Sequence, residues 1–164
     1  MIGKAMQDAI NDQINKELFS SYLYLSMAAY FEHKNLIGFA HWMRVQEREE
    51  REHAMKLYDF ILERGGQVVL KAIQAPTTSW NSNLELFREV AEHEAKVTAS
   101  INTLYELALA EKDYPAQVML QWFINEQVEE EKNAAEIVAN LELIEERGTA
   151  VLMLDHNLAK RGGE

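Results

Sequence analysis

The sequence predicts an all-α fold: a four-helix bundle with one long crossover loop and a short fifth helix at the C-terminus. Three observations predict it. Ala, Leu, Glu, Gln and Met are abundant, while the chain carries only seven Gly and two Pro in 164 residues, a composition that favours helix over sheet. Apolar residues recur at alternating steps of three and four through four long segments, the period of a helix with one buried face. Two short breaks and one long one join these segments, which makes two antiparallel hairpins bridged by a crossover.

The first helix is expected over about 6–33, with Ile10, Ile14, Glu17, Ser21, Tyr24, Ala28 and Phe31 on one face. Lys34-Asn35 breaks it. The second, over about 37–64, repeats the pattern through Phe39, Trp42, Met43, Gln46, Glu50, His53, Leu57, Phe60 and Ile61 until Gly65-Gly66, a C-terminal stop. From Gly65 to about Asn81 the character changes: Val68-Val69-Leu70 reads as a brief extended piece, Pro76 excludes helix, and Ser79 to Ser82 offers capping residues. About seventeen extended residues span roughly 55 Å, more than the roughly 42 Å of a 28-residue helix, so the linker can run the length of the bundle and set the third helix parallel to the second. The third helix, over about 83–111, aligns Phe87, Val90, Ala91, Glu94, Val97, Thr98, Ile101, Leu104, Tyr105 and Ala108. After Pro115, the fourth, over about 115–146, aligns Met119, Leu120, Phe123, Ile124, Gln127, Glu130, Ala134, Ile137, Val138 and Leu141. Gly148 is expected to end it. Residues of about 149–160 form the fifth helix, with Val151, Leu152, Leu154 and Leu158 apolar, and Arg161 to Glu164 is expected to fray. The whole chain, 1–164, reads as one domain.

Composition also limits function. With no cysteine, neither a disulfide framework nor a thiolate metal site can form. The formal charge of -11 argues against nucleic acid as a partner and suits cations instead. Met1 to Asp12 shows no apolar core flanked by basic residues, and Tyr22 to Phe31, the most apolar stretch, is far shorter than the roughly 20 residues of a membrane span. A cytoplasmic protein without membrane contact is expected.

Each apolar face is interrupted near its middle by polar residues: Glu17 on the first helix, Glu50 and His53 on the second, Glu94 on the third, Gln127 and Glu130 on the fourth. Glu50 and His53, at i and i+3, share a face and can grip one cation together. Glu17 to Glu50 is 33 residues, and so is Glu94 to Gln127. Each pair is nearly centred on its hairpin break, which sets its members at one height. The second hairpin therefore looks like a degenerate repeat of the first.

Four carboxylates in one buried layer each cost several kcal/mol if unpaired, so something positive must sit there or the acids must be protonated. A buried salt-bridge network fails for want of cations, because Lys16, Arg51, Lys96 and Lys132 point off the inner face. Two divalent metal ions resolve the conflict, and an oxygen-rich set with one imidazole suits iron or manganese.

With Leu23-Tyr24-Leu25-Ser26-Met27, Glu49-Glu50-x-x-His53-Ala54-Met55 and Leu120-Gln121-Trp122-Phe123 through Glu126-Gln127-Val128-Glu129-Glu130-Glu131, essentially the whole chain resembles the ferritin-like di-iron family, most closely its non-haem bacterial ferritin branch. The resemblance implies that Glu17, Glu50 and His53 hold a first iron and that Glu50, as the bridge, holds a second with Glu94 and Glu130. It implies a hydrogen-bonding role for Gln127 that weakens one iron site, and a tyrosine beside the centre at Tyr24, whose other reading is a packed core aromatic. Glu49, Glu126 and Glu129 match the outer, third iron site of bacterial ferritins; by pattern alone they form a solvated acidic face. Trp122 resembles the tryptophan beside the site, or only packs. His33, His41, His93 and His156 read as surface histidines.

Two relatives of the family are set aside. Bacterioferritins add a second Glu-x-x-His and a haem-binding methionine where this chain has Arg51 and Glu52, so no haem is expected, and a cysteine-ligated iron domain of the rubrerythrin kind is impossible. Arg48, Arg51 and Glu52 make the motif's surroundings strongly charged, and Arg51 and Glu52 suit exposed pairs or subunit contacts. The implied activity is a ferroxidase: oxidation of Fe(II) to Fe(III) by O2 or peroxide at the paired site, with oxo-hydroxide mineral stored in a hollow homo-oligomeric shell of 24 chains and the fifth helix lining a symmetry channel. A di-iron oxidase or oxygenase acting on an organic substrate, and a purely structural helical bundle, are the alternatives.

Overall fold

The structure, a computed structural model, describes residues 1–162. Gly163 and Glu164, part of the tail expected to fray, lie outside the described residues. Five helices follow in order: α1 Lys4–His33, α2 Ile37–Glu63, α3 Asn83–Ala110, α4 Tyr114–Ile144 and α5 Gly148–Leu158. Among the described residues there is no strand, and 68–70 is irregular chain held by side chains of α1.

Three of the four long helices end in one way. A residue in the left-handed region, Asn35, Gly65 or Lys112, lets the next amide reach back five residues, from Leu36 to the Phe31 carbonyl, Gly66 to Ile61 and Asp113 to Ala108. Gly65 takes this conformation without a Cβ penalty. The fourth closes differently. Glu145 and Glu146 both have positive φ, and Gly148 opens α5 instead of ending α4, so α4 stops at Ile144, short of the expected boundary.

Ser82 caps α3 by accepting from the Glu85 amide, and Asp113 caps α4 from the Ala116 amide beside Pro115. No side chain of its own start caps α2. Asp155 of α5 does so instead, accepting from the Phe39 amide at 2.9 Å across 116 residues. Gly38 permits this approach, since a Cβ there would lie 1.7 Å from the Asp155 carbonyl oxygen.

The crossover runs along α1 from one end to the other. Asn11 holds the Gln67 carbonyl and the Val69 amide, Ser26 donates to Thr77, and Tyr30 donates to the Trp80 carbonyl. Because the chain crosses the full length of α1 before α3 begins, α3 runs parallel to α2 and antiparallel to α1. The inner faces make two separate apolar cores. One gathers Tyr24, Phe31, Phe39, Met43, Phe87 and Leu141, the other Met6, Ile14, Leu57, Ile101, Leu120 and Phe123. The polar layer lies between them.

In α5, Val151 is buried and Leu154 and Leu158 pack on the first core, while Leu152 and Met153 face outward. The tail does not fray at Arg161: its guanidinium pairs with Glu49 at 2.6 Å and lies over the Trp42 ring, and its carbonyl meets His41. No helix among the described residues is long and apolar enough to cross a membrane.

Candidate metal centre

Six polar side chains close the gap between the two cores. Glu17, Glu50 and Glu94 are each 1 % exposed, Gln127 3 %, His53 4 % and Glu130 7 %. Each stands mid-helix, where its own backbone is satisfied, so its side chain alone carries the unmet polar demand.

Glu17, Glu50 and His53 each bring one ligand atom within 4.8 Å of the others. His53 turns Nδ1 toward Glu50 Oε2 at 3.6 Å, and its Nε2 lies 4.0 Å from Glu126. Two glutamines one turn earlier orient the acids: Gln13 donates to Glu17 at 2.7 Å, and Gln46 donates to Glu50 at 3.1 Å and Glu130 at 2.8 Å. Neither glutamine reads from the sequence as part of the site. The signal was present as Gln-x-x-x-Glu on the inner face of both helices of the first hairpin. After these bonds, Glu17 Oε2 and Glu50 Oε2 remain buried without a partner.

The second hairpin supplies Glu94 and Glu130. Tyr24 donates to one Glu94 oxygen, and Gln127 donates to the other at 3.2 Å. Tyr24 is thus both a core aromatic and a donor to the layer.

Burial raises every one of these acids. It is the largest cause at Glu17 and Glu50, each pushed well above the carboxylate range, with Glu50 adding to Glu17 and Glu94 adding to Glu50. Glu94 is raised by burial despite the bonds from Tyr24 and Gln127, and Glu130 rises to about 7 through burial and then Glu94. Burial and Glu94 likewise push the Tyr24 phenol up. None of the four nearby cations enters: Lys16 donates to Ser100, Lys96 pairs with Glu92, and Arg51 and Lys132 are exposed. Buried, acidic, oxygen-rich and short of positive charge, with two carboxylate oxygens free, the layer fits hard divalent cations.

The matching domain model is described as a ferritin-like domain and covers residues 7–144. The chain belongs to the ferritin family. It is similar to the bacterial non-heme ferritin of Bacteroides fragilis strain 638R, 42% identical over 161 residues that cover 98% of this chain and 100% of that one. To the bacterial non-heme ferritin of Staphylococcus aureus strain USA300 it is 35% identical, over 98% of this chain and 97% of that one. Among solved structures it is similar to an open pore ferritin from the archaeon Archaeoglobus fulgidus, with a TM-score of 0.96 and 51% identity over 98% of both chains. The fold is therefore the ferritin-like four-helix bundle with a long crossover and a short fifth helix.

The outer residues are less closely gathered. Glu49 is tied to Arg161, Glu126 reaches toward His53, and Glu129 is exposed, so the three do not make a ligand cluster of the kind formed by Glu17, Glu50 and His53. Trp122 packs its ring edge to face against His53 at 5.3 Å, with Lys56 over it.

Two histidines depart from the surface reading. His93 is half-buried, 2.7 Å from the Ser20 hydroxyl and edge-on to Tyr24, and burial, with help from Lys96, lowers its pKa to about 4. His41 is half-buried under the C-terminal turn. His33 and His156 are exposed.

Proposed function

We propose that this chain is an iron-storage ferritin and a ferroxidase, acting as one ferritin-like unit in the cytoplasm. Two Fe(II) ions enter the layer as substrate. Glu17, Glu50 and His53 hold the first, and Glu50, Glu94 and Glu130 the second. The ions give up two electrons and leave as Fe(III). O2 accepts those electrons with two protons to become hydrogen peroxide, or peroxide accepts them with two protons to become water. Carboxylates favour Fe(III) over Fe(II), so the ligands add driving force. Tyr24 and Gln127 keep Glu94 oriented through each cycle.

The observation that carries this reading is the pair of buried, unpartnered carboxylate oxygens on Glu17 and Glu50, set beside His53 in a layer without a cation. The bacterial ferritins it resembles support it. The archaeal neighbour is described as an open pore ferritin, which supports a hollow homo-oligomer for this chain, and 24 copies is the number the family resemblance implies. The outward Leu152 and Met153 of α5 give a neighbouring copy an apolar surface at a symmetry channel. Glu49, Glu126 and Glu129 serve as a third, outer iron site. The iron so handled is not haem iron.

The test is an aerobic Fe(II) titration of the metal-free protein, followed by sizing with iron and protein detected together. The expected result is a large particle retaining iron far beyond two or three ions per chain. Uptake that ends near two per chain in a small particle overturns storage and leaves an oxidase.

A further inference from the structure

Arg161, near the end of the chain, is held by residues more than 100 positions earlier. Its side chain is 18% exposed, with Nη2 2.6 Å from Glu49 Oε2 and the guanidinium 4.3 Å over the Trp42 ring. Nη1 is buried and has no partner, and the carbonyl sits 2.8 Å from His41 Nε2. Arg161 shares a cavity of about 480 Å³ with Glu49, Glu129 and Glu136, so three carboxylates and one guanidinium line the same space. A group three residues beyond the end of α5 thus supplies the charge that balances α2 and α4 on the outer side of the metal layer.

We infer that Arg161 is a built-in counter-cation which occupies the outer carboxylate pocket and yields Glu49 to an incoming divalent ion, freeing the C-terminal turn as it leaves. The inference rests on the reading of Glu49, Glu126 and Glu129 as an outer metal site. Its physical basis is like charge. A divalent ion on Glu49 would stand beside the guanidinium that Oε2 already holds, and the two cations repel in this part-buried pocket, so filling it weakens the ion pair and turns the guanidinium away. The cation–π contact with Trp42 and the His41 bond hold the turn in place until that happens. Because the same bond opposes metal and tail release, the coupling is reciprocal: removing the guanidinium tightens metal, and metal loosens the turn. The outer site consequently fills after the inner pair.

The test uses the assembled full-length protein under anaerobic conditions, with Fe(II) as the only ligand. Isothermal titration of the wild type and of Arg161→Gln is expected to show a third ion per chain that binds at least about tenfold tighter in the variant. Adding Glu49→Gln to that variant removes the gained site. In the unaltered protein, saturating Fe(II) is expected to raise amide hydrogen exchange at residues 157–161, a readout that does not depend on any variant folding. Equal third-site affinity in both proteins, with exchange at 157–161 unchanged, overturns the counter-cation while leaving the outer site standing. Absence of a third ion from both proteins overturns the outer site itself.

Discussion

The two hairpins share a frame and differ in what they leave free. In both, 33 residues separate the paired positions, Glu17 from Glu50 and Glu94 from Gln127, and both turns close through a left-handed residue, Asn35 or Lys112. In the first hairpin a glutamine one turn earlier takes one oxygen of each acid and leaves the other without a partner. In the second, Val90 and Phe123 stand one turn before Glu94 and Gln127, and Tyr24 and Gln127 engage both Glu94 oxygens. Backbone register places the side chains. The amides and hydroxyls around them decide which oxygens are left without a partner, and the buried unpartnered ones lie in the first hairpin.

The comparison breaks most visibly when its shared member is removed. Glu50→Ala takes a ligand from both proposed positions, and rapid Fe(II) oxidation in stopped flow is expected to fall by more than about 100-fold while helicity by circular dichroism stays intact. His53→Ala and Glu94→Ala each remove a ligand from one position only and are expected to slow oxidation less. Equal loss in all three would mean that the hairpins act as one indivisible site. Tyr24→Phe, which frees a Glu94 oxygen without removing a ligand, is expected to cost about tenfold in rate or metal affinity.

Protons sharpen the same contrast. Glu17, Glu50, Glu94 and Glu130 all have pKa values raised in the folded chain above their ordinary 4.5, Glu130 to about 7. An acid raised by folding stabilises the fold below its unfolded pKa, and that stability is lost as pH climbs through the folded value. The metal-free protein is therefore expected to lose thermal stability between about pH 4.5 and pH 7 and above, by calorimetry, whereas saturation with a divalent cation flattens the slope because metal replaces protons. Glu17→Gln replaces an acid that must take up a proton to stay buried with a neutral amide, and should raise metal-free stability at neutral pH by about 1–4 kcal/mol while impairing metal binding. A metal-free protein equally stable across that range would show that the layer holds some other cation.

The bundle was legible because a 3.6-residue period states which face of a helix is buried, and it locates Glu17, Glu50, Glu94 and Gln127 as well as the leucines beside them. What it cannot state is the partner of a side chain far away in sequence. His93 reads as a surface residue from its position off the inner stripe, yet the crossing of α1 over α3 delivers Ser20 to it. Arg161 reads as part of a loose tail, yet Glu49 and Trp42, more than 100 residues earlier, fix it. Nothing in the sequence marks Asp155 as a cap, and only the docking of α5 at Gly38 makes it the cap of α2. Gly148 reads as a stop, but Glu145 and Glu146 take the left-handed turn before it.

The smallest expected effect concerns the turns themselves. Asn35 and Lys112 have nearly the same left-handed φ, 59 and 54, and serve the same five-residue closure, but their side chains differ in tolerance for it. Asn populates this region readily, whereas lysine meets the full Cβ penalty of roughly 1–2 kcal/mol. Glycine has no such penalty but a more flexible unfolded chain, which takes back about 0.4–1 kcal/mol. Lys112→Gly is therefore expected to stabilise the protein by up to about 1 kcal/mol, a rise in Tm of roughly 2–4 °C for a chain of this size, and Asn35→Gly to change it little or lower it slightly. Equal shifts in the two variants would mean that the turns are energetically alike and that the hairpins differ only in their polar layer. A larger gain at Lys112 would extend the asymmetry from the site to the connections that set its register.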